Sequence, residues 1–333
     1  MLKTTVSNDK VTKGFVIGKQ AEEFIESYLD FPIPLLLKFP KYFTLEPINR
    51  CNAKCIMCGI DFDSKTKAVM SQSLLEKIAK EMAVHKNHIE KVIIALDGEP
   101  LMDKSLHNKV RHLKDVGLKL VNVTTNASML SKKRATQLIE AGLDEIYITI
   151  DSLKKPVYEA IRIGLNFDEV YNNTCSFIKL RNKLNPNLKI RVLMVQQELN
   201  FNEPDEFEKH WRALLASHDQ VAIQKAHNWA STADVVQFGD EPDINKIPCI
   251  SLWGTLGIHA DGRVGICCMD TKCVYPLGDL NHNTIEEIWS SKAMNDAREL
   301  HLNGHRANIP LCDGCTVWRA DKRKLSGNIG TSK

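Results

Sequence analysis

No apolar run in the chain approaches the roughly 18 residues that a membrane span needs, and the opening stretch MLKTTVSNDK lacks the apolar core of a signal peptide. Neither sign of charge is in large excess. The 333 residues carry 44 basic and 41 acidic side chains, a formal charge of +3, so no broad field marks a binder of nucleic acid or of a membrane surface. Internal repeats and low-complexity tracts are missing too. These absences point to a cytoplasmic protein whose substrate is not a polyanion. The length suffices for one large domain, or for a barrel of about 200 residues and a smaller module.

What the chain has in quantity is cysteine, ten in all. A disulfide scaffold belongs to short secreted chains, and here the cysteines gather in two places instead. Cys51, Cys55 and Cys58 form one group; Cys249, Cys267, Cys268, Cys273, Cys312 and Cys315 form the other. Cys175 stands alone in an amphipathic pattern, NNTCSFIKL, and reads as a small buried apolar side chain.

From Tyr42 to about Ile223, short apolar runs alternate with helical patterns, as in a parallel βα array. YFTLEP, KVIIAL, LKLVNVTTN, EIYITIDS, KIRVLMVQ and QVAIQ read as strands. SQSLLEKIAKEMAVHK, KSLHNKVRHLKDVG and SKKRATQLIEAG read as helices, the last stopped by Gly142. The expected fold class is α/β: a partial (β/α)6 barrel followed by a small cysteine-rich α+β module. Periodicity fades after His227, where Pro, Gly and Asp accumulate. The expected divisions are a helical lead-in over 1–41, the barrel over 42–226, the module over 227–320 and a mobile tail over 321–333. Chemistry in such arrays collects beyond the carboxyl ends of the strands.

EPINRCNAKCIMCG sets three cysteines at C-x3-C-x2-C directly after the first strand. Structural zinc sites are closed by four ligands, whereas a [4Fe-4S] cluster on three cysteines leaves one iron with an open position. In this arrangement the chain resembles the radical S-adenosylmethionine (SAM) superfamily, and residues 42–223 resemble its barrel. The resemblance implies that SAM chelates the open iron and that an external electron donor, such as a flavodoxin or ferredoxin, drives its cleavage. LDGEPL is similar to the family's Gly-Glu-Pro motif, which implies that Gly98 and Glu99 receive the SAM amino group. Asn126 in TTNA falls where a residue lies near the SAM ribose and methionine, and Met57 joins the cofactor-binding set. ITIDS resembles the family's Ser-Leu-Asp with Thr149 in place of serine, and YEAIRIG resembles the stretch carrying a helix-borne arginine, so Arg162 is expected against the SAM carboxylate.

In the second group, Gly262 in ADGRVG marks a hairpin turn between Cys249 and Cys267, and Cys312 and Cys315 form C-x2-C in PLCDGC. Four thiolates brought together this way close either a [4Fe-4S] cluster or a zinc ribbon. ADGRVGICCMD, GDLNHNTIEEIW and CDGC resemble the SPASM or twitch extension of radical SAM enzymes. No cysteine follows Cys315, a departure from the full SPASM pattern that implies one auxiliary cluster, on Cys249, Cys267, Cys312 and Cys315, as in a twitch-type aminocyclitol dehydrogenase. Cys268 and Cys273 are then spare, either buried structural thiols or a catalytic hydrogen donor.

The expected activity is hydrogen abstraction from a hydroxylated small molecule of sugar or aminocyclitol type, giving dehydrogenation. Epimerisation with a cysteine hydrogen donor is the alternative, as is modification of a ribosomally made peptide. Only about 40 residues precede the barrel, which weighs against a built-in leader-binding domain. A non-enzymatic metal module has no use for an open iron. Substrate contacts are expected from His227, Asn228 and Trp229 at the module boundary.

Overall fold

The computed structural model describes residues 16–60, 67–230, 232–233, 235–236 and 244–317; the expected tail, 321–333, lies outside them. The six apolar runs form strands β1 (Tyr42–Leu45), β2 (Lys91–Ile94), β3 (Val121–Thr125), β4 (Glu145–Thr149), β5 (Lys189–Gln196) and β6 (Gln220–Lys225). They pair in parallel and in chain order, with Phe43 opposite Val92 and Ile148 opposite Val192. Parallel neighbours need crossovers. After an N-terminal helix α1 (Gly18–Leu29), these are α2 (Gln72–Val84), α3 (Leu106–Asp115), α4 (Lys132–Glu140), α5 (Phe167–Leu184) and α6 (Pro204–Arg212).

Local chemistry explains where the helices begin and end. Ser71, Ser131 and Asn166 accept from the backbone N–H three residues on, satisfying donors that the first turns of α2, α4 and α5 leave open. Gly142 follows α4 with φ +86°, a conformation that costs glycine little.

The sheet does not stop at residue 226. Strand β7 (Thr255–Ile258) pairs in parallel with the free edge of β1, and β8 (Arg263–Gly265) and β9 (Pro276–Asp279) add antiparallel strands outside it. The order is therefore β9-β8-β7-β1-β2-β3-β4-β5-β6. Gly262, at φ +95°, makes the turn between β7 and β8. Helices α7 (Ile285–Trp289) and α8 (Lys292–Leu302) follow, α7 opening with a reciprocal Thr284–Glu287 capping box. The lead-in is tied to this C-terminal part: Trp289 Nε1 donates to the Leu36 carbonyl at 2.8 Å.

One buried ion pair pins α5 to the far side of the sheet. The Arg181 guanidinium donates to both carboxylate oxygens of Asp219, which also accepts from the amides of Ile190 (2.8 Å) and Ala216 (2.9 Å). Both side chains are fully buried. Burial alone would raise the Asp219 pKa, but Arg181 and the two amides hold it below the usual carboxylate value. Its stabilisation is therefore complete above the unfolded pKa near about 3.9 and is lost as pH falls through the lower folded value. Asp219→Asn should cost about 3–5 kcal/mol in urea unfolding at neutral pH, because it strands a buried guanidinium. The gap from wild type should narrow below about pH 4; a gap constant through that range would contradict the assignment.

Candidate active site

The chain leaves β1 at Glu46 and turns across the end of the sheet to carry Cys51, Cys55 and Cys58. Two features fix this loop. Short strands Lys54–Cys55 and Arg162–Ile163 pair antiparallel, and Ile56 N donates to the Ile161 carbonyl at 3.0 Å. At Gly98, a Cβ would lie 2.2 Å from the Ile48 carbonyl oxygen and 2.6 Å from that of Arg50, so only glycine permits this approach. The neighbouring Glu99 N–H donates to the Arg50 carbonyl at 2.8 Å.

The strand ends form a polar network around the loop. Glu99, buried beyond β2, accepts from the Thr125 hydroxyl (2.6 Å) and from the amides of Asn126 (2.8 Å) and Leu101 (3.0 Å). Three of roughly four carboxylate lone-pair positions are thus taken by the protein itself; burial nevertheless pushes its pKa up. Asn126 Nδ2 donates to Asn52 Oδ1 at 3.0 Å, and Asn52 Nδ2 to Ser128 Oγ at 2.8 Å, joining the cysteine loop to the end of β3. Thr149 Oγ1 donates to the Thr125 carbonyl at 3.3 Å, and Met57 is buried.

Arg162 does not ride on a helix. The helix Lys155–Ile161 ends before it, because the next two residues pair with the cysteine loop and Gly164 turns at φ +96°. Its Nε donates to Asp151, which lies just past β4 and accepts from Val195 N at 2.8 Å; its NH1 reaches Cys55 Sγ at 3.5 Å.

Asn228 is also used differently from expectation. Its side chain bonds the Gly314 carbonyl (2.9 Å) and the Thr316 amide (3.0 Å), so it fastens the C-x2-C loop. Trp229 packs on Gly59, beside Cys58. Segment 227–230 thereby bridges the two cysteine groups. His227 stands 5.1 Å from the Trp229 ring, and burial pulls its pKa down to about 4.

In the C-terminal group, Cys267 feels the charges of Cys268, Cys249 and Cys312, and Cys268 those of Cys249 and Cys315, so five thiols share one neighbourhood. A Cβ on Gly257 would lie 3.3 Å from Cys268 Cα, which places the Cys267–Cys268 backbone against β7. Buried Asp270 shapes this loop by accepting from Val274 and Tyr275 N–H. Arg306 gathers the Cys312 and Cys315 carbonyls. Cys273 sits apart, beside His259 and at φ +52°. Cys175, half-buried on α5, packs against the core.

Burial pushes the thiol of Cys51 up to about 12 and those of Cys268 and Cys312 likewise, with Cys58 up to about 11. Such thiols ionise when a soft cation takes the place of the proton. Three or four such thiolates can hold zinc or an iron–sulfur cluster.

A model of the Radical SAM superfamily matches residues 45–182, and one of an iron-sulfur cluster-binding domain, SPASM, matches residues 249–316. The chain belongs to the radical SAM superfamily. Its C-terminal module is of the SPASM type, and its cofactors are SAM and [4Fe-4S] clusters. Among curated relatives, GTP 3',8-cyclase of Limosilactobacillus fermentum is 29% identical over 46% of this chain and 46% of its own length. Molybdenum cofactor biosynthesis protein moc-5 of Caenorhabditis elegans is 29% identical over 50% of this chain and 27% of its own. The chain thus spans less than half of these relatives. The fold is shared with BtrN in complex with AdoMet and 2-DOIA (TM-score 0.58, 17% identity, 84% of this chain and 93% of BtrN). It is also shared with Streptococcus suis SuiB bound to precursor peptide SuiA (TM-score 0.63, 14% identity, 83% of this chain and 72% of SuiB). No described helix is long and apolar enough to cross a membrane.

The contact at Gly98 yields a test. Gly98→Ala should displace the loop bearing Cys51, so that anaerobic reconstitution delivers less iron per chain than wild type while far-UV circular dichroism is kept. Wild-type iron content in that variant would contradict the steric argument.

Proposed function

We propose that the protein dehydrogenates a hydroxylated small molecule of sugar or aminocyclitol type. Cys51, Cys55 and Cys58 would hold the SAM-binding cluster, and Cys249, Cys267, Cys312 and Cys315 an auxiliary one. When bound, these cofactors supply a 5'-deoxyadenosyl radical that abstracts a hydrogen atom, together with an acceptor for the electron that dehydrogenation releases. Around them the chain's own residues bind and orient. Arg162, fixed by Asp151, and Glu99, fixed by Thr125 and Asn126, offer opposite charges to the amino-acid portion of SAM. Gly98 gives the cysteine loop room, and Thr149, Asn126 and Met57 complete the SAM set.

The observation that carries the reading is the link between the two cysteine groups: Trp229 packs on Gly59 beside Cys58, while the adjacent Asn228 bonds Gly314 and Thr316 around Cys315. A closed cluster that near an open one suits removal of an electron from a substrate radical held between them.

A second reading, epimerisation, draws on Cys273, which stands outside the five-thiol group. Anaerobic turnover in heavy water, with candidate sugars and aminocyclitols, separates the two. Dehydrogenation gives a product lighter by two hydrogens, with no solvent deuterium at the reacting carbon and one 5'-deoxyadenosine per turnover. A product of unchanged formula carrying one deuterium, lost in Cys273→Ala or Cys268→Ala, would replace the dehydrogenase reading with the epimerase one.

A further inference from the structure

Three adjacent strands, β7, β1 and β2, each end on a side chain able to bind a cation, and none of the three is a cysteine. Glu46 directly follows β1, His259 directly follows β7, and Asp97 lies three residues past β2. Their side chains are 0%, 5% and 0% exposed. One ligand atom from each lies within 4.8 Å of the others, the only such trio of His, Cys, Asp or Glu among the described residues. We propose that Glu46, Asp97 and His259 bind a divalent first-row cation of the manganese or zinc kind, separate from both iron–sulfur sites.

Distances carry the argument. His259 Nδ1 stands 3.6 Å from Glu46 Oε2 and 3.7 Å from Asp97 Oδ2. Both are longer than a hydrogen bond. They match the separation of two ligands held about 2.2 Å from one tetrahedral ion, which is about 3.6 Å. His259 is oriented for such a role as well. Its Nε2 faces the Asp270 carbonyl at 3.2 Å, which can only accept, so Nε2 carries the hydrogen and the Nδ1 lone pair is aimed between the two carboxylates. Glu46 Oε2 is steadied by the Ala260 amide at 2.7 Å.

Chemistry points the same way: two buried carboxylates and an imidazole form a donor set that a dication can take. Two oxygens and one imidazole nitrogen favour manganese or zinc over a soft ion such as copper(I).

The test is a manganese(II) titration of the anaerobic, cluster-loaded protein, following loss of the free-ion paramagnetic resonance signal. The expected result is one manganese per chain, displaced by zinc. Asp97→Asn and His259→Gln should each weaken binding at least about 10-fold, with iron content and the cluster absorption band unchanged to show that the fold is kept. Cys273→Ala should bind as wild type. Absence of a stoichiometric site, or a site indifferent to Asp97→Asn and His259→Gln, would overturn the proposal; so would binding lost in Cys273→Ala alone.

Discussion

Four residues of β7 lie along four of β1, Thr255 to Ile258 beside Tyr42 to Leu45, and the carboxyl end of the sheet takes its form from that pairing. Without it, β1 would be an open edge with unpaired backbone groups. With it, the loop after β1 and the hairpin after β7 leave the sheet side by side. The first bears Cys51, Cys55 and Cys58, and the second leads to Cys267 and Cys268. The hydrogen bond from Glu46 N to the Ile258 carbonyl, 2.9 Å, continues the ladder one step beyond the strands and holds the two exits together. Cysteines more than 200 positions apart become neighbours through ordinary backbone pairing.

Positioning of the catalytic loop is otherwise the work of polar side chains. Asn52, Asn126 and Ser128 close a ring of hydrogen bonds between the loop and β3. Asp151 holds Arg162 from β4, and Arg306 and Asn228 hold the C-x2-C turn. Except for the exposed Asn52, each group is buried or half-buried, so loss of a partner leaves an unsatisfied donor or acceptor of high cost. The loops are irregular in backbone yet fixed in place, as a site that positions a radical requires.

The order of the six parallel strands, the first three crossover helices and both cysteine groups was legible in the sequence, because apolar periodicity, a helix-stopping glycine and cysteine spacing are local signals. KIRVLMVQ is β5 from end to end, and Gly142 and Gly262 turn where their neighbours require it. Non-local pairing was not legible. Nothing in TLGI indicates that it docks on β1 rather than inside its own module. Arg162 reads as helical until the cysteine loop is seen to claim its backbone. Asn228 resembles a free loop residue until the turn at Gly314 is placed beside it. Glu46, Asp97 and His259 are 213 positions apart at the extremes and carry no spacing signal; only their place at adjacent strand ends unites them.

The central claim is that the two cysteine groups build two separate iron–sulfur sites, of which only the first acts on SAM. Iron content and SAM cleavage, measured together on wild type and on the variant with Cys51, Cys55 and Cys58 all changed to Ala, address it most directly. Two four-iron clusters predict about eight irons per chain in wild type; in the variant, about half should remain, with SAM cleavage abolished. Residual SAM cleavage in the variant, or stoichiometric zinc in place of its remaining iron, would contradict the account.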